Sequence, residues 1–130
     1  MKAIRIFLLA VLCMVLLAVA GTAAADDMTW GELKQAMTTS GTIVLENSVT
    51  ASASDEALIV PEGVTVRLDL NGQTINRGLT EVAEDGSVII VQGTLTVMDS
   101  GTGGTITGGF AEQGGGILNG GTLTIEGGSI

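Results

Sequence analysis

The segment Gly93-Thr94-Leu95-Thr96-Val97 recurs 28 residues later as Gly121-Thr122-Leu123-Thr124-Ile125. Gly-Gly-Thr-Ile (103–106), Gly-Gly-Gly-Ile (114–117) and Gly-Gly-Ser-Ile (127–130) lie between and after the copies. Alternating strands that return at this interval between glycine corners predict a stacked β-solenoid, each rung lying on its own copy. An antiparallel hairpin sheet competes with this reading, because Asn119-Gly120 suits a two-residue hairpin turn. The near-identity of strands one period apart favours parallel stacking.

The preceding segment fits the same plan. Residues 42–46 are rich in strand formers, and residues 57–60 end at Pro61, which interrupts a ladder. Val64, Val66, Leu68 and Leu70 fall on one face of the next strand, with Thr65, Arg67 and Asp69 on the other. Asn71-Gly72 turns the chain into Thr74-Ile75, and residues 87–92 are an apolar run suited to a buried strand. From Gly101 onward 12 of 30 residues are glycine, a proportion that suggests a flexible linker. Large aliphatics contradict that reading, since Ile106, Ile117, Leu118, Leu123, Ile125 and Ile130 recur among the glycines. Glycine there supplies tight corners.

Residues 28–41 are the single helical prospect. Thr29 as N-cap and Glu32 three positions on form a capping box, and Trp30, Leu33, Ala36 and Met37 share a face. Gly41 reads as the stop. A helix placed before a β-stack is expected to cover the apolar end of the first rung and block edge pairing. A partner-binding helix is the weaker reading, because its apolar face has an internal use.

The first 25 residues read as an export signal. Lys2 and Arg5 give a positive start, residues 6–20 are unbroken apolar sequence, and Ala23-Ala24-Ala25 provides the cleavage site. An uncleaved anchor is the alternative, but 15 apolar residues are short for a membrane span. Lipidation at Cys13 is disfavoured by Leu12 before it and by the apolar run that continues past it. Removing residues 1–25 leaves three basic side chains (Lys34, Arg67, Arg77) against all 14 acidic ones, a net charge of −11. That sign opposes binding to nucleic acid or to anionic lipid. Cys13 is the sole cysteine, so the mature chain forms no disulfide and its stability must come from stacking.

The chain has no His and no Tyr. A Ser-His-Asp triad is therefore excluded, and without Cys13 so are a cysteine nucleophile and the usual zinc sites. A pair of carboxylates could still support glycosidic cleavage. Asp69 and Asp99 are the prospects, with Arg67 beside Asp69. The plainer reading makes Arg67 and Asp69 an exposed ion pair and Asp99 a turn residue. The outward threonines 94, 96, 122 and 124 could form a hydroxyl ladder, although threonine is also simply a good strand residue. Asn71 and Asn119 could stack at corners or just make turns.

The elements Leu68-Asp69-Leu70-Asn71-Gly72-Gln73-Thr74-Ile75, Gly104-Thr105-Ile106-Thr107-Gly108-Gly109 and Gly114-Gly115-Gly116-Ile117 resemble those of secreted bacterial right-handed parallel β-helix proteins of the pectin-lyase-like superfamily. With Gly121-Thr122-Leu123-Thr124-Ile125, the C-terminal part is similar to adhesin-type repeats related to polymorphic outer membrane proteins. The resemblance implies an all-β fold, a right-handed parallel β-helix with a short N-terminal capping helix. Residues 1–25 are then the signal peptide, residues 26–41 the helix cap and residues 42–130 about three to four coils. The expected function is that of a secreted or cell-surface, adhesin-like scaffold that contacts glycan or a host or cell-surface protein. No nucleic acid, no cofactor and no membrane contact after signal cleavage are expected, and no residue is assigned a catalytic, cofactor-binding or metal-binding role. The alternative is the front of a polysaccharide lyase or glycoside hydrolase of the same fold. The repeat pattern is still running at Ile130, so the chain is expected to be a truncated product or the front of a longer protein.

Overall fold

A computed structural model describes residues 27–130, and the expected export signal lies outside the described residues. One helix, α1 (Trp30–Ala36), precedes ten strands. These are β1 (Gly41–Val44), β2 (Val49–Thr50), β3 (Leu58–Val60), β4 (Thr65–Asp69), β5 (Thr74–Asn76), β6 (Ile89–Val91), β7 (Thr94–Met98), β8 (Thr105–Thr107), β9 (Ile117–Asn119) and β10 (Thr122–Ile125).

Three successive coils each contribute one strand to each of three sheets, and β10 adds a fourth strand to the first, giving the orders β1-β4-β7-β10, β2-β5-β8 and β3-β6-β9. All of these pairings are parallel. The protein is thus an all-β parallel solenoid of about three turns with one short helix before it. Leu123 aligns with Leu95, so the recurring segments stack on one another. The hairpin reading is overturned: Asn119-Gly120 leads into a strand parallel to its neighbour.

The inward rows are aliphatic because the strand period of two sends alternate residues to one face. Ile43, Leu68, Val97 and Ile125 form one row, and Val49, Ile75 and Ile106 another. Val66, Leu68, Leu95, Val97, Ile75, Leu58, Val60, Ile89 and Val91 are fully buried in one continuous core. Residues 87–92 are less uniformly buried than expected. Ile89 and Val91 point inward, while Ile90 lies partly exposed in register with Ile59 and Leu118.

The helix begins as read, with Thr29 Oγ1 accepting from Glu32 N and Glu32 Oε1 accepting from Thr29 N. Trp30, Leu33 and Met37 join the same core as Leu45, Val49 and Leu58, so the helix closes that end of the stack. Trp30 Nε1 donates to Glu56 O at 2.8 Å, and Lys34 pairs with Glu56. The helix ends earlier than expected, with Met37 as C-cap, and Gly41 instead opens β1. Thr38 Oγ1 donates to Gln35 O, so a hydroxyl takes up a terminal carbonyl in place of another helical turn.

Corner lengths differ around the coil. The corner after β1, β4 and β7 is short, whereas the one after β2, β5 and β8 carries residues 51–57, 77–88 and 108–116. Length varies there through the loop centres, such as residues 78–85, which are exposed or half-buried, while Ala57, Arg77 and Val88 at the loop ends are buried.

Candidate functional site

The outer face of the four-stranded sheet is set by strand parity. Thr65, Thr94 and Thr122 align in one row, and Thr42, Arg67, Thr96 and Thr124 in the next. Each of these side chains is exposed or half-buried. Arg67 does not pair with Asp69. It reaches along the sheet, with Nη2 3.0 Å from Met98 Sδ and 3.5 Å from Glu126 Oε1.

Asp69 ends β4 and is 6% exposed. Its Oδ1 accepts from Asn71 N at 2.9 Å and from Ser100 N, one coil on, at 2.8 Å. Asp99 returns the interaction: its Oδ1 accepts from Gly72 N at 2.7 Å in the previous coil and from Gly101 N at 3.2 Å. Its Oδ2 accepts from Gly104 N at 2.8 Å. The two aspartates therefore stitch consecutive corners together reciprocally. A side chain at Gly104 would strike Asp99 Cγ and Leu70 Cβ, at 2.8 and 2.6 Å from the added carbon. Asn71 turns the same corner at φ +50 and donates from Nδ2 to Leu45 O in the first coil.

This geometry decides the chemistry of the pair. Burial is the largest influence on Asp69 and acts to raise its pKa. Donors from Ser100 and Asn71, with the Arg67 charge, outweigh it and hold the carboxyl below its ordinary value. A general acid needs the opposite shift. The Asp99 oxygens are likewise occupied by backbone amides. The structure does bring Asp69 and Asp99 together, but at a corner where both serve the backbone. Asn119 ends β9, where its Oδ1 accepts from Gly121 N. It stands at a different corner from Asn71, so the two form no ladder.

Arg77 is the residue that sequence reasoning passed over. It is 4% exposed, and its Nη1 donates to the Asp85 and Ser87 carbonyls. Its Nη2 reaches Asp55 O at 3.3 Å and the Asp85 carboxylate at 3.4 Å. Parity carried the signal: counting on from inward Ile75 places Arg77 inward, whereas Arg67 falls outward. A cation buried this way organises loop 77–88 from below.

Open grooves lie on the surface of the described residues, two of them near the solenoid's loops and helix. One, about 410 Å³, lies between the start of α1 and the first coil, against Asp27, Trp30 and Asn47. The other, about 550 Å³, lies between loops 77–88 and 108–116. Among the described residues no three His, Cys, Asp or Glu side chains are grouped to hold a metal ion, and no helix is long and apolar enough to cross a membrane.

Comparison of the chain with protein-family models, with curated proteins and with solved structures gives no match.

Proposed function

We propose that this chain is an exported, non-catalytic scaffold of adhesin type, secreted or held at the cell surface, that contacts glycan or surface protein through the outer faces of its solenoid. Its resemblance to secreted parallel β-helix proteins of the pectin-lyase-like superfamily supports the reading. The leader-like pattern of residues 1–25 supports export.

One observation carries the proposal. The acid pair that a glycosidase or lyase reading would use is committed to backbone amides, while the threonine rows beside it are in register and exposed or half-buried. A rigid sheet presents such rows at a strand spacing of about 4.8 Å without ordering anything on contact.

The test is an array of glycans and surface proteins probed with this chain. Binding without turnover is expected, weakened by Thr96→Lys together with Arg67→Glu. Depolymerisation of an acidic polysaccharide, abolished by Asp69→Ala, would replace this reading with the enzyme one.

A further inference from the structure

The geometry points to the groove between loops 77–88 and 108–116 as a docking site for a cationic, apolar polypeptide segment. The inference rests on the scaffold reading and names one face and one partner chemistry for it.

The groove is built on a fixed backbone. Leu79 N donates to Gly108 O, Ala83 N to Phe110 O, and Phe110 N to Gly86 O, at 2.9, 2.9 and 2.7 Å. Arg77 anchors the first loop from below through Asp85 and Ser87. Walls held this way need little ordering when a ligand arrives.

Its lining is mixed, with aliphatic side chains set among Glu84, Glu112 and Gln113, where the four-stranded face is hydroxylic. Val82 and Leu118 are 54% and 41% exposed, and Ala83 and Ala111 lie beside them. Leu118 also ends the outward row Ile59–Ile90–Leu118, so aliphatic surface continues from the groove along the sheet. Val82 and Leu118 line the same groove, so one apolar partner segment could cover both.

The charge of the lining selects the occupant. Glu84 and Glu112 line the groove, and neither takes part in an ion pair among the described residues. The basic side chains of the described residues, Lys34, Arg67 and Arg77, are paired with Glu56, Glu126 and Asp85. A cationic partner would therefore meet complementary charge here that no basic side chain of the described residues already answers. A segment alternating Lys or Arg with Leu-sized residues satisfies both the lining and the acidic side chains, and an anionic glycan satisfies neither.

The experiment measures fluorescence anisotropy of labelled peptides on this chain at low salt. An alternating Lys-Leu peptide is the probe and an alternating Lys-Ser peptide the control. Val82→Ser with Leu118→Ser is expected to weaken Lys-Leu binding about tenfold. Glu84→Gln with Glu112→Gln is expected to weaken it about fivefold, and less at high salt. Glu46→Gln with Glu62→Gln, the same charge loss at exposed sites elsewhere, should leave it within about twofold. All these positions are at the surface, so circular dichroism of each variant should match the parent. Equal binding of both peptides, an unchanged Val82→Ser/Leu118→Ser variant, or equal weakening by the distant glutamate pair would overturn the groove. If any of these occurs while the arrays still show binding, the groove fails and the scaffold reading stands. Silence in both experiments removes both.

Discussion

Leu95 and Leu123 occupy equivalent places in consecutive coils, in register within nearly identical segments, yet Leu95 is fully buried and Leu123 only partly. Their neighbours Val97 and Ile125 differ more, at 0% and 45% exposed. The strands are alike in sequence and in backbone, so the difference lies in what covers them. A solenoid residue is buried by the rung on each side, and among the described residues Leu123 and Ile125 have a rung on one side only. At the opposite end Trp30, Leu33 and Met37 supply the missing side.

The helix-covered end gives the largest expected effect. Trp30→Ala removes a buried ring and its bond to Glu56 O, and should lower stability by about 4 kcal/mol in urea denaturation. A loss under about 1 kcal/mol would mean the helix is not a structural lid. The next comparison is direct. Leu95→Ala should cost about 3 kcal/mol and Leu123→Ala less than about 1, read from the shift in midpoint at constant slope. Equal losses would show that the last coil is covered in solution as well as the inner ones.

The smallest effect concerns the corner shared by inner coils. The Asp69 carboxyl is held below its ordinary value when folded, so the folded protein binds fewer protons there than the unfolded chain. Its contribution is present in full above the ordinary value of about 3.9 and is lost as pH falls through the lower, folded value. Asp69→Asn should therefore lower stability at pH 7 and flatten its fall between about pH 5 and 2, followed by thermal denaturation. An unchanged acid limb would remove the corner stitch from the account.

Much of this architecture was legible in the chain. Alternation over residues 64–70 put Val66 and Leu68 inside and Thr65 and Arg67 outside, because strand parity is a local property. The capping box at Thr29 and Glu32 was legible for the same reason, since it spans three positions. The partners of Arg67, Asp69 and Asp99 were not. Arg67 finds Glu126 two coils away, and each aspartate takes an amide from the coil next to its own. Sequence neighbours suggested an Arg67–Asp69 pair, but corner amides, aligned only once coils of unequal length have stacked, drew Asp69 inward. Arg77 follows the same logic: its parity was readable, while the carbonyls of Asp55, Asp85 and Ser87 that tolerate its charge come together only in the stack. Periodicity lets one strand specify its own inner and outer faces. What each residue touches along the stack depends on corner lengths that separate it from its neighbour, and those are resolved by the assembled coils.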